Sequence, residues 1–253
     1  MFDTHAHLFD KKLKSELDKI LTQLKEKKYG GVLCVLESEA EAEMFLKYFE
    51  EFNFLYCSIG THPHNAKNFD FESLKKLYAK LKPTGRLVAI GEIGLDFYYN
   101  FSSKNEQIKC FEQQLSFAKE VSLPVIIHSR NSSEVVISIL KNNHIKKGVV
   151  HCFTGTSLEM QEIIGCGLKI GITGIITFPN AESLRSTFFC TPEDFIVVET
   201  DSPYLAPEPY RGKVNSPLNL IYIVEAIAKL KKQNVEIMEK ILDDNAKKIF
   251  NII

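Results

Sequence analysis

The chain has 253 residues, 45% hydrophobic and 25% charged, with a formal net charge of −1. A chain of this length can bury a large core without disulfide or metal staples. Its charge balance excludes a chain-wide basic surface for nucleic acid, but not a local patch beside a phosphate site.

The opening MFDTHAHLFD lacks the charged and apolar regions of a secretory signal. No run of about 18 apolar residues is present, so no membrane span is expected. The cytoplasm is the expected compartment. Cys34, Cys57, Cys110, Cys152, Cys166 and Cys190 form no CxxC pair, and they are expected to be buried free thiols.

In chain order, residues 2–7 read as a buried strand that carries His5 and His7. Residues 15–27 follow as a helix with Leu17, Ile20, Leu21 and Leu24 on one face. Further apolar runs at 31–36 and 54–60 read as strands, the second followed by His62 and His64. The run at 87–94 carries Glu92 between Gly91 and Gly94. A helix is expected at 108–119, then a strand at 124–128 ending in His128, with Arg130 just beyond. Shorter helical patterns at 135–141 and 158–164 flank a strand at 148–153 that carries His151. Strands at 169–173 and 195–200 come next, and Asp201 follows the last. A proline-rich loop at 204–217 precedes two helices, 218–231 and 235–252, the last capped by Asn234.

Eight short buried runs alternating with helices predict parallel strands joined by crossovers. That number and length fit a (β/α)8 TIM barrel spanning residues 1–253 as one domain. An open doubly wound sheet is the alternative, but the turn after the first strand has no glycine fingerprint for phosphate.

Six of the seven histidines fall at or just after a strand's C-terminal end, where barrel enzymes gather their catalytic groups. His5 and His7 are two apart and share a strand face. Two imidazoles there suit a divalent transition metal. Glu92 in an apolar run must pair with Arg86 or a lysine, or join a metal site. Asp201 can cap the following turn, hold a metal or activate water. Four histidines and two carboxylates can hold two divalent ions with one carboxylate bridging.

The segments DTHAHL (3–8), GTHPH (60–64), AIGEIGLDFYY (89–99), PVIIHSR (124–130), HCFTG (151–155), ETDSPYLAP (199–207), RGKVNSP (211–217) and NAKKIFNI (245–252) resemble the TatD family of metal-dependent deoxyribonucleases, within the amidohydrolase-like superfamily. The blocks run through essentially the whole chain. The resemblance implies a metal-dependent hydrolase that cleaves phosphodiester bonds in DNA, as a 3′-5′ exonuclease on single-stranded ends, through a metal-activated water. It implies that His5, His7, Glu92 and Asp201 hold one ion, and that Glu92 bridges to a second held by His128 and His151. Glu92 and Asp201 would be the catalytic pair. His62, His64, Arg130, Arg211 and Lys213 would contact the substrate. Tyr98, Tyr99, Phe153 and Tyr204 could stack a base. The ions could be Mg²⁺, Mn²⁺ or Zn²⁺, and a monomer is expected. The same ligands would equally serve an ester or amide hydrolase, such as a D-aminoacyl-tRNA deacylase. A barrel that only binds nucleic acid or a protein is disfavoured by the intact ligand set.

Overall fold

Each apolar run forms a strand in the computed structural model, which describes residues 1–252. The strands are β1 (Phe2–Ala6), β2 (Gly31–Leu36), β3 (Leu55–Ile59), β4 (Leu87–Asp96), β5 (Val125–Arg130), β6 (Gly148–Val150), β7 (Lys169–Ile172) and β8 (Ile196–Val198). All neighbours pair in parallel in the order β1 to β8. The seam is closed by a bridge between Ala6 and Ser202, flanked by Asp201 N–H donating to His5 O at 2.9 Å and His7 N–H to Ser202 O at 2.7 Å. Asp3 reinforces it: one carboxylate oxygen accepts from Thr200 N–H at 2.9 Å and the other from the Thr200 hydroxyl at 2.5 Å. The (β/α)8 barrel is therefore the observed fold, and the open sheet is excluded.

The helices are α1 (Leu17–Glu26), α2 (Glu39–Tyr48), α3 (Phe71–Leu81), α4 (Lys104–Glu120), α5 (Ser133–Asn142), α6 (Ser157–Gly165), α7 (Glu182–Cys190), α8 (Leu220–Lys231) and α9 (Val235–Phe250). Their apolar stripes cover the barrel's outer face. This is why strands such as β2, GVLCVL, are buried throughout. No helix of the described residues is long and apolar enough to cross a membrane.

Along β5, Val125 and Ile127 belong to the outer core, while Ile126 joins a second cluster inside the barrel. That inner cluster includes Phe2, Leu33, Val35, Val149 and Val197, and Ala246, Ile249 and Phe250 of α9 pack onto it. Helix α9 thus covers the N-terminal end of the barrel and leaves the C-terminal end for the site. The two-residue period of a strand carries the inward face from Ile126 to His128, from Val149 to His151 and from Val197 through Glu199 to Asp201.

Two strands break this period where they approach the site. The β1–β2 register shifts between Asp3 and Ala6, and the β4–β5 register shifts between Ile90 and Ile93. Irregularities of this kind re-aim side chains near active sites, and here they bracket His5 and Glu92. Gly91 and Gly94 make the second possible, with φ of 155° and 141°. A Cβ at Gly94 would lie 2.1 Å from the His128 carbonyl oxygen.

Four cysteines are buried as expected, but Cys152 is half-buried and Cys190 is exposed. Cys190 ends α7, a helix without a strong apolar stripe, so its side chain falls on the solvent side.

Candidate metal centre

Glu92 is the middle of the site. It is 3% exposed, and its ion-pair contacts among the described residues are all to histidine. Arg86, the alternative partner, lies over the Tyr56 ring instead.

The two oxygens of Glu92 face different groups. Oε2 lies 3.3 Å from His5 Nε2 and 3.7 Å from His7 Nε2. Asp201 Oδ1 lies 3.7 and 3.6 Å from the same nitrogens, which are 3.3 Å apart. Ligand bonds of about 2.0–2.2 Å place tetrahedral donor atoms about 3.3–3.6 Å apart. The five separations, 3.3–3.7 Å, are of that size. Oε1 lies 2.9 Å from His128 Nδ1, 3.5 Å from His151 Nε2 and 3.7 Å from His62 Nε2. Groupings tight enough for a cation are His5 with His7 and Asp201, His5 with Glu92 and His151, and His62 with Glu92 and His128. The donor set of imidazole and carboxylate fits a divalent transition ion.

Burial alone would raise the Glu92 carboxyl; the charges of His151, His62 and His5 and the His128 hydrogen bond outweigh it and hold it well below the usual range. Burial pushes His62 down to about 3 and lowers His5, whereas at His151 the charges of Glu199 and Glu92 overcome burial and push the imidazole up to about 10. Burial raises Asp201, although the charges of His151, His5 and His7 oppose it.

The six expected ligands thus converge, with His62 brought among them. His64 lines the adjoining cleft, a cavity of about 740 Å³ bordered by His128, His151, Asp201, Arg130 and Tyr204. Arg130 projects over the rings of Tyr98 and Tyr99, at 4.2 and 4.8 Å from their centroids. Arg211 lies over Phe178 in a neighbouring hollow that shares Thr154, Ile175 and Leu205 with the cleft. Lys213 sits over Tyr210 and lines neither.

Tyr98, Tyr99 and Tyr204 are exposed at the rim, but Phe153 is buried against Phe188. Phe101, which the sequence reading passed over, stacks on Tyr99 and is 54% exposed.

Three buried carboxylates were also not singled out from the sequence. Asp96 accepts hydrogen bonds from both His64 and His128. Glu199 lies 3.0 Å from His151 Nδ1, and Asp3 holds Thr200. Each sits on a strand, or just past its end, beside a more conspicuous residue. A charged residue at the inward parity of an apolar strand was the available signal.

A (β/α)8 barrel with this donor cluster at its C-terminal face defines a metal-dependent hydrolase. The family model described as TatD related DNase matches residues 2–251, and the chain belongs to that family. It is 35% identical to the metal-dependent hydrolase YabD of Bacillus subtilis, over all of this chain and 99% of the relative. It is 34% identical to the 3′-5′ ssDNA/RNA exonuclease TatD of Erwinia tasmaniensis, over the full length of both. Among solved structures, the TatD homologue YjjV of Escherichia coli superposes with a TM-score of 0.92 at 27% identity, covering all of this chain and 98% of the other.

Proposed function

We propose that the chain is a two-metal phosphodiesterase that removes nucleotides from the 3′ end of single-stranded DNA. The observation that carries this reading is the split of Glu92, with Oε2 toward His5 and His7 and Oε1 toward His128 and His151. A carboxylate so placed suits a bridge between two ions. Divalent ions, when bound, lower the pKa of coordinated water and neutralise charge on phosphoryl oxygens.

His5, His7, Glu92 and Asp201 would hold one ion, and Glu92, His128 and His151 the other. Asp201 takes the proton of the attacking water as general base. His62, His64 and Arg130 orient the phosphate, and Arg211 holds a flanking phosphate one hollow away. Lys213 gives weaker, rim-level attraction. Tyr98, Tyr99 and Tyr204 offer faces for an unstacked base. The name of the Erwinia relative supports a single-stranded substrate. The exposed Cys190 suits a reducing compartment, and we place the enzyme in the cytoplasm as a monomer.

The test is cleavage of 5′-labelled single-stranded DNA by protein reconstituted with Mg²⁺, Mn²⁺ or Zn²⁺. Ladders shortening from the 3′ end should appear, vanish with a chelator and be absent in Asp201→Asn. No cleavage of any nucleic acid, together with hydrolysis of an aminoacyl ester, would replace this reading with acyl transfer. The Arg130-bearing open rim favours the first outcome over a closed neutral pocket.

A further inference from the structure

The last residue of β4, Asp96, is fully buried and belongs to none of the cation groupings. Its Oδ2 lies 3.1 Å from His128 Nε2 and 2.9 Å from His64 Nε2. Its Oδ1 accepts the backbone N–H groups of Tyr98 and Tyr99 at 3.0 and 2.9 Å. Gln107 of α4 clamps the backbone from behind, accepting from Asp96 N–H at 2.8 Å and donating to Asp96 O at 3.0 Å. The carboxylate therefore has one position available.

A carboxylate accepts hydrogen bonds and does not donate them. The contact with His128 accordingly keeps a proton on Nε2. Nδ1 faces the Glu92 carboxylate at 2.9 Å and donates to it in the metal-free chain; a cation held by Glu92 would take the place of that proton, while Asp96 keeps the one on Nε2. We propose that Asp96 is a positioning residue for the metal centre, which fixes His128 in the tautomer that offers Nδ1 to a cation and ties that ring to His64. Through Oδ1 the same residue sets the turn on which Arg130 rests, so one side chain aligns a ligand with the phosphate-facing rim. The inference rests on His128 being a ligand, as read above, and not on the identity of the substrate.

Asp96→Asn separates the two halves of this role. The amide oxygen can still accept from Tyr98 and Tyr99, so the turn is retained. The amide nitrogen then presents donors to His128, which favours a proton on Nδ1, where the cation should bind. Zn²⁺ alone is titrated into metal-free protein and followed by calorimetry, with histidine tautomers of the Zn²⁺-loaded wild type read from long-range ¹H–¹⁵N correlations. The wild type should show His128 protonated on Nε2. Asp96→Asn should lose about 10- to 100-fold in the weaker binding event and leave the tighter one, at His5 and His7, unchanged. A wild-type His128 protonated on Nδ1 would overturn the proposal, as would equal weakening of both events or no weakening of either. If the variant fails to fold, the wild-type spectrum decides alone. No substrate enters the experiment, so its outcome is independent of the nuclease assay.

Discussion

The contrast between Glu92 and Asp96 shows how a carboxylate's task follows from what faces it. Both end up inside the barrel, four residues apart on β4, and both meet His128. Glu92 is surrounded by imidazole nitrogens on both oxygens, while Asp96 is held by backbone N–H groups on one oxygen. Between them stands Gly94, paired in register with His128. Adding a methyl group there drives a Cβ into the His128 carbonyl, in a backbone conformation that L side chains rarely adopt. Gly94→Ala should cost about 3 kcal/mol or more. Thermal unfolding should show Tm falling by roughly 10 °C, and an unchanged Tm would mean that the two strands separate at little cost. From the sequence, His5, His7, Glu92, His128, His151 and Asp201 were legible because each interrupts or ends an apolar run. Asp96 was not, because the run read as a strand ends at Gly94 and leaves the aspartate in what looks like the following loop. Glu199 was hidden beside Asp201, and only the strand parity shows that both point inward.

At the scale of elements, strands were more legible than helices. All eight strands lie within the expected runs or within two residues of them, because buried parallel strands are continuous in Val, Ile and Leu. Helices α2, α3 and α7 were not anticipated. Helix α2, EAEAEMFLKY, buries only Ala42 and Phe45, so its stripe is too faint to stand out among its charges. Helix α4 starts four residues before its expected span, at a Ser103–Glu106 capping box. The cap expected at Asn234 is present: its side chain accepts from the N–H groups of Glu236 and Ile237. Asn234→Ala should therefore lower stability by about 1 kcal/mol in a denaturant titration. Because α9 covers the far end of the barrel from the metal centre, catalytic parameters should stay unchanged. A change in kcat at temperatures where the variant is folded would contradict that separation.

At the scale of the whole molecule, the two ends of the barrel should respond to different variables. The C-terminal end responds to metal. A cation that binds the folded chain alone stabilises it by about 2.7 kcal/mol at a hundredfold excess over Kd. Tm should rise on adding Mn²⁺ or Zn²⁺ to metal-free protein, and Glu92→Gln should abolish most of that rise. An equal rise in Glu92→Gln would place the binding elsewhere. The N-terminal end responds to pH through Lys169 at the start of β7, which contacts Asp194 O and Asn245 Oδ1 beneath α9. Burial pushes its amine down to about 8 from the ordinary 10.5. Between those values the unfolded chain holds more protons than the folded one, so this group makes stability rise with pH across that window. Relative to Lys169→Met, the wild type should gain stability from pH 8 to pH 10; parallel pH profiles would show that Lys169 keeps its ordinary affinity for protons.

The seam between β1 and β8 also has a consequence in time. His5 and His7 leave the ribosome almost two hundred residues ahead of Thr200 and Asp201. Contacts of such long sequence separation form late, because loop closure is entropically costly. The strand that carries the first histidines must therefore wait, without its final neighbour, while the other strands line up. Its apolar flank is open to wrong partners during that interval. Assembly of the donor cluster is then a late event in synthesis, and a nascent chain that stalls before β8 holds most of the site's residues but no place for a cation between His5, His7 and Asp201.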